Sequence, residues 1–362
     1  MSPQVLTPEC LGLPPFRSRW PWWGADLQTL RDTLRPLHLP PERPTPLTVS
    51  VGGGDELLAL LDVPPLPRGL VLVVPGLGGE ATGPGPRRLA LALRQAGLAT
   101  LRLNLRGAGA GRPLAGGTYA ARCNRDLLPV LARARTLAAE LAGAGPPLPL
   151  AAAGLSLGGT ILLHACQADA EAAVQPGEGV LALACLSSPL DLADCCAAIG
   201  RPRNALYERW LVRRLLRTTL ADRRGLGEAE RRRLQGVRAP RSIRGFDAEV
   251  TAPRWGYASV EHYYAEASPL ALLRRRGCGP AVLLLQAVDD PWVPAGPAVA
   301  LSGELPRAAV SVAGAMGAVQ PPPLQVLLTR SGGHCGFHGV GDPPLASWSD
   351  RVIAAWLAQR LA

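Results

Sequence analysis

The sequence predicts a mostly parallel α/β sheet with helices on both faces, interrupted late by a helical insertion. Three observations predict it. From about residue 69, short apolar runs alternate with amphipathic stretches. The runs are apolar throughout rather than at every second position, as strands buried on both faces require. The alternation stops over residues 193–268 and then resumes. With 362 residues, 48% hydrophobic and 18% charged, the chain has material for a large buried core.

The elements follow in order. Residues 1–68 are proline-rich and are expected to wrap the surface and supply the first strands. "GLVLVVPG" (69–76) reads as a strand, and "RRLALALRQAG" (87–97) has helical spacing ending on Gly97. "LATLRLNLRG" (98–107) is a second strand. "RDLLPVLARARTLAAELAG" (125–143) is a second helix, with Pro129 in its first turns, where proline is tolerable. "PLPLAAAG" (147–154) and "GVLALACLSSP" (179–189) are strands flanking a helix at "LGGTILLHACQA" (157–168). The first part of the core thus covers 69–192. Residues 193–268 are helical and Arg-rich, with "LYERWLVRRLLRTTL" (206–220) as their clearest amphipathic stretch. Parallel sheets bind ligands at the strands' carboxyl ends, so an insertion between late strands is well placed to be a lid. The second part of the core, 269–362, holds strands at "AVLLLQAVDDP" (281–291) and "LQVLLTRSGGH" (324–334) and a last helix at "LASWSDRVIAAWLAQRLA" (345–362). No internal repeat is present.

Composition excludes several classes. All 38 basic residues are Arg, and with 41 Gly and 37 Pro this reads as coding bias more than a selected surface. A net charge of +10 favours anionic partners in general. No zinc-finger, RRM or basic-zipper pattern accompanies it, so no nucleic-acid partner is expected. The eight cysteines lack paired metal spacing. Cys166 and Cys185 sit in apolar runs, Cys195 and Cys196 are adjacent, and all read as reduced thiols. The opening "MSPQVLTPECLGLPPF" lacks the basic-then-apolar order of a signal peptide, and no apolar stretch reaches bilayer length. A cytoplasmic protein is expected, with its oligomeric state undefined.

"GLSLG" (154–158) fits G-x-S-x-G and falls between a predicted strand and a predicted helix. A turn strained enough to present a serine there needs positions without bulk on either side, which Gly154 and Gly158 provide, and Gly159 allows close helix packing. The alternative is a glycine-rich turn whose Ser156 merely caps the helix. A serine needs a base, so the discriminating question is whether an acid and a histidine follow in the order Ser, Asp, His. They do, each just after a predicted strand: Asp289 and Asp290 in "AVDDPWVP", His334 and His338 in "RSGGHCGFHG". Asp290 is preferred over Asp289 because the residue before Pro291 is held extended, which suits a carboxylate projecting from a strand end. Turn chemistry also accounts for "DDP". His334 and His338 are four apart but set among glycines with no further ligand pair, so no metal site is expected.

"VVPGLGGEATG" (73–83) has two uses. Gly76, Gly78 and Ala81 fit the dinucleotide fingerprint G-x-G-x-x-A, and Arg106 at the end of the next strand would suit NADP. In a serine hydrolase the Leu77 N–H of this loop, with that of Leu157 after the serine, forms the oxyanion hole.

The chain resembles the YheT-like (AB-hydrolase 4) members of the α/β-hydrolase superfamily over nearly its whole length. The likeness is carried by "WWGADLQTL" (22–30), "PGLGG" (75–79), "NLRGAGAG" (104–111), "GLSLGG" (154–159), "AVDDPW" and "GGHCGF". The most specific segment is "RGFDAEVTAPRWGYASVEHYYAEAS" (244–268). The resemblance implies an α/β-hydrolase fold with a helical cap, and Ser156 as nucleophile, Asp290 as acid and His334 as base. It also implies a carboxylesterase of short- to medium-chain acyl esters, with lipids the substrates of membrane-anchored relatives, and no cofactor. The chain departs from the family pattern at "YAARCNRD": Tyr119 and Asp126 match, but Ala120 stands for a His and Arg122 for a Gly. Val63 replaces a Trp, and a proline-rich stretch, 306–323, lengthens the connection to His334.

The expected reaction is ester hydrolysis through an acyl-enzyme on Ser156. An acyltransferase would use the same triad, and an NADP-binding reductase or a catalytically silent hydrolase-like binding protein are readings from other classes. The basic segment 201–244 is a solvated lid face, a surface for anionic lipid, or a site for an acidic partner. Trp210, Leu211, Leu215 and Leu216 supply its apolar side or pack its own core.

Overall fold

The apolar runs become an eight-stranded sheet in the order β1-β2-β4-β3-β5-β6-β7-β8. The computed structural model describes residues 6–173, 179–222, 224–235, 239–275, 279–303 and 324–362. Strands β1 (Thr45–Ser50) and β2 (Glu56–Asp62) form an antiparallel hairpin on one edge. Strands β3 (Leu70–Val74), β4 (Ala99–Leu103), β5 (Leu150–Leu155), β6 (Ala182–Leu186), β7 (Ala281–Ala287) and β8 (Leu324–Thr329) are mutually parallel.

Both faces of this sheet are covered, and the period of two is visible inside single strands. Leu70, Leu72 and Val74 of β3 pack on one side with helices α3 (Asn124–Ala142) and α4 (Leu157–Ala172). Val71 and Val73 pack on the other with α2 (Pro84–Gln95) and the C-terminal helix Trp348–Arg360. Alternate residues therefore face different cores, yet all must be apolar. Arg102 is a charged exception: it is fully buried on β4, where its guanidinium meets Glu42 and the Ala81 carbonyl, each at 3.0 Å. Pro129 is the sixth residue of α3, in its second turn, and the helix runs through it. Its missing N–H leaves the Arg125 carbonyl without the usual intrahelical donor.

Helix α1 (Ala25–Leu34) precedes the sheet. Between β6 and β7 the chain is helical: α5 (Leu192–Ile199), α6 (Ala205–Leu220), Glu228–Leu234, then a continuous run Ile243–Phe246, Asp247–Thr251 and Ala252–Arg254. The middle turn of that run is π-helical. This region has small cores of its own. Leu211, Val212, Leu215, Leu234, Ile243 and Phe246 form one of them, with Leu216 partly buried against it, whereas Trp210 is 54% exposed. The apolar side of α6 is thus mostly spent on packing. The stretch 306–323 lies outside the described residues.

Candidate active site

The site is built where β5 gives way to α4. Ser156 has φ 51 and ψ −126, a left-handed backbone that a non-glycine residue adopts only under strain. Its amide donates to the Leu186 carbonyl at 2.7 Å, tying the turn to the end of β6. The flanking glycines are required sterically. A Cβ on Gly154 would lie 2.2 Å from the Gly159 nitrogen, one on Gly158 2.2 Å from the Val74 carbonyl oxygen, and one on Gly159 2.0 Å from the Ser188 Oγ. At Gly154 and Gly158 the clashing atoms are backbone, so the turn needs glycine there, whereas at Gly159 the Ser188 side chain would have to shift.

His334 follows β8, and its Nε2 lies 2.9 Å from Ser156 Oγ. Its Nδ1 is 2.9 Å from Asp290 Oδ2 and 3.2 Å from Oδ1. Asp290, just beyond β7, also accepts from the amides of Trp292 and Val293 at 2.9 and 3.0 Å and from Gln286 Nε2 at 3.3 Å. Asp289 points elsewhere: its Oδ1 accepts the Gly333 amide at 2.9 Å and steadies the loop that carries His334. Trp292 stacks on the imidazole, with ring centroids 4.5 Å apart. Burial opposes a charge on His334, but the facing Asp290 carboxylate outweighs it and holds the histidine pKa well above its ordinary value.

The glycine loop after β3 lies against the serine: a Cβ on Gly76 would be 2.9 Å from Ser156 Cβ. Residues Gly76–Gly79 form a tight turn, closed by the Gly79 amide on the Gly76 carbonyl at 2.9 Å, with Gly78 at φ 68. Leu77 in this turn and Leu157 at the start of α4 line the same cavity as Ser156 and His334. As the first residue of a helix, Leu157 has an amide without an intrahelical acceptor. The cavity measures about 510 Å³ and is walled largely by apolar groups, among them Ile199, Leu211, Leu215, Phe246 and Trp292. It lies at the carboxyl ends of the strands, where parallel sheets bind ligands. A second cavity, lined by Arg135, Asp169 and Leu150, sits at the opposite end, and its two charged residues pair with each other at 2.7 Å.

Several other residues have structural work. The Arg106 side chain donates from Nε and Nη2 to Asp126, both at 2.8 Å, and from Nη1 to Asp55 and the Gly116 carbonyl. This saturation argues against Arg106 as a holder of a cofactor phosphate. His338 is buried beside Arg88 and Asp32, and burial, followed by the Arg88 charge, pushes its pKa down to about 3. Among the described residues no cluster of His, Cys, Asp and Glu could hold a metal ion. Ala120 lines the cavity, Arg122 pairs with Glu266 at 2.9 Å, and Val63 packs against the core.

The main contribution invisible to residue-by-residue reasoning comes from α1. The Gln28 side chain donates to the His338 carbonyl at 3.0 Å and accepts the His338 amide at 2.7 Å. Thr29 Oγ1 accepts the His334 amide at 2.9 Å. Gly333 and Gly336 are required by the same contact, because Cβ atoms there would lie 2.4 Å from the Ala25 oxygen and 2.5 Å from the Gln28 oxygen. The segment "WWGADLQTL" was the available signal, and nothing local in it announces this partner.

No family model matches the chain. Among curated proteins it is similar to phospholipase ABHD3 of Mus musculus, 27% identical over 79% of this chain and 62% of that protein. It is also similar to the YheT protein of Escherichia coli, 28% identical over 59% of this chain and 56% of that one. The chain spans about three fifths of the length of the curated relatives it matches. Among solved structures it resembles a soluble variant of monoglyceride lipase from Saccharomyces cerevisiae, with TM-score 0.53 and 15% identity, covering 90% of this chain and 97% of that one. At that identity the likeness is one of α/β-hydrolase fold. Among the described residues no helix is long and apolar enough to cross a membrane.

Proposed function

We propose that this YheT-like α/β-hydrolase is a serine carboxylic-ester hydrolase with Ser156, His334 and Asp290 as its triad. The observation that carries the reading is the continuous hydrogen-bonded chain Ser156–His334–Asp290, with 2.9 Å at each closest approach, opening on a largely apolar cavity. His334 Nε2 takes the Ser156 proton as Oγ attacks the ester carbonyl, and Asp290 fixes the tautomer and stabilises the imidazolium. The amides of Leu77 and Leu157 receive the developing oxyanion. Collapse expels the alcohol, which takes the proton back from His334, and water then cleaves the acyl-enzyme by the same route.

In this reading residues 193–268 act as a cap over the sheet, and the substrate is a short- to medium-chain or lipid-like ester. The cavity's apolar walls support that class, as do the names of the similar proteins. Leu206, Trp210 and Trp23 are 82%, 54% and 61% exposed. The Tyr207–Asp26 hydrogen bond at 3.0 Å joins α6 to α1 beside them. With the arginines of α6, this rim supports peripheral contact with anionic lipid.

The test is labelling with a fluorophosphonate probe, followed by an ester chain-length series. Wild type labels and Ser156→Ala does not; absence of label on wild type refutes the esterase, and equal label on both refutes Ser156.

A further inference from the structure

The turn Gly76–Gly79 is held from two sides by residues that take no part in the triad. From the core, the hydroxyl of the half-buried Tyr119 accepts the Gly78 amide at 2.6 Å. From the inserted helical region, Arg214 on α6 donates its Nε to the Gly78 carbonyl, and its side chain lies against the glycine. Burial pushes the Tyr119 pKa up to about 12, so the phenol stays neutral. The Arg214 guanidinium lies 5.7 Å from the Trp210 ring centre. The Tyr119 and Arg214 contacts hold the two peptides that follow Leu77, and the Gly79–Gly76 bond ties them to the Gly76–Leu77 peptide, which carries the Leu77 N–H. No hydrogen bond among the described residues takes the Leu77 N–H itself.

Gly78 is the weak point of such a turn. At φ 68 it sits where glycine moves easily, and the peptide before it can flip between turn types at little cost. An oxyanion donor acts through preorganisation, so its position must be fixed before charge develops. A single clamp on the N–H side would leave the carbonyl side free to rotate.

We infer that Arg214 and Tyr119 are positioning residues for the oxyanion-binding turn, so that the site is complete only when α6 is seated. The inference rests on the esterase reading of Ser156. It ties catalysis to the inserted region through one named contact: lifting α6 withdraws Arg214 and releases the Gly78 carbonyl while the triad stays intact. Interactions made only in the transition state appear in kcat rather than KM. Removing an oxyanion donor outright costs about 10²–10³ in kcat, and loosening one sets an expected loss of about 10- to 100-fold.

The experiment compares wild type with Arg214→Gln, Arg214→Lys and Tyr119→Phe on a water-soluble p-nitrophenyl ester. Each is also titrated with a trifluoromethyl ketone, which forms an anionic adduct on Ser156, and with the carboxylic acid product. For Arg214→Gln and Tyr119→Phe, kcat and ketone affinity fall together while KM and product inhibition hold. Arg214→Lys, which keeps a cationic donor, recovers part of the loss. Unchanged kcat, or a loss shared equally by KM and product binding, overturns the inference. Thermal melts accompany each variant, and if Tyr119→Phe unfolds, the two Arg214 variants carry the test. Failure of wild type to label or turn over would instead overturn the esterase reading, so the two failures are distinct.

Discussion

At the scale of single residues, the two adjacent aspartates separate most sharply. Asp290 faces His334 Nδ1, whereas Asp289 accepts a backbone amide that an asparagine oxygen would accept equally well. Asp290→Asn is therefore expected to lower kcat by about 10⁴, the order seen when the third triad member is neutralised, and Asp289→Asn by far less. The pH profile gives a second readout. In the proposed mechanism the base form of His334 takes the serine proton, so kcat/KM is expected to rise as pH passes through its pKa. The Asp290 charge raises that pKa, placing the acid limb above the ordinary histidine value of about 6.5, and Asp290→Asn moves it down. For stability the sign runs the other way. A raised histidine pKa contributes stability that is complete below the unfolded value and is lost as pH rises through the folded one. Urea melts of wild type and His334→Ala should therefore converge as pH is raised through the folded pKa. That Ser156, His334 and a carboxylate would meet was legible, because their order and strand-end positions are written in the chain. The choice of Asp290 rested on a weaker local cue, the following proline.

At the scale of elements, the G-x-S-x-G turn was legible because its glycines answer to neighbours a few residues away. The role of α1 was not. Gln28 reaches a residue 310 positions later, and no local period encodes such a pairing. Gln28 is wholly buried and also donates to the Trp22 carbonyl at 2.6 Å. Gln28→Ala would leave the His338 amide and the Trp22 carbonyl without partners, while the His338 carbonyl keeps the Arg19 amide at 3.1 Å. At about 1–3 kcal/mol for each unsatisfied group, a loss of roughly 2–5 kcal/mol is expected in urea denaturation. Because Thr29 holds the His334 amide on the same helix, activity should fall before global unfolding, as the histidine loop loosens. The arginine-rich α6 was read correctly as amphipathic. Which of its residues pack inward and which reach the glycine loop depended on helices that follow it in the chain.

At the scale of the whole molecule, a buried cluster joins distant parts. Arg88 on α2 meets Asp350 of the C-terminal helix at 2.5 Å and also Asp32 on α1. Burial alone would raise the Asp32 pKa, but the neighbouring Arg88 charge outweighs it and holds the carboxyl below its ordinary value. The same helix that steadies the histidine loop is thereby fixed to the sheet's outer layer. The net charge of +10 is also a molecular property, and its use follows from where apolar side chains emerge. If the rim of α1 and α6 meets anionic lipid, the protein should sediment with phosphatidylcholine vesicles containing phosphatidylglycerol. It should not do so with phosphatidylcholine alone, and binding should weaken several-fold as salt rises. Trp23→Glu with Leu206→Glu should abolish that binding, and retention by the double variant would remove the rim from the account. By itself, the sequence determined the α/β architecture, the position of the helical insertion and the order of the serine, the aspartates and the histidines. Apolar period, glycine placement and strand-end position are local quantities, and a chain states them directly. The tertiary structure decided which aspartate faces His334, what holds the histidine and glycine loops, and that Arg106 and His338 are structural. Those outcomes depend on which distant groups compete for each buried donor and acceptor, and only the folded chain brings the competitors together.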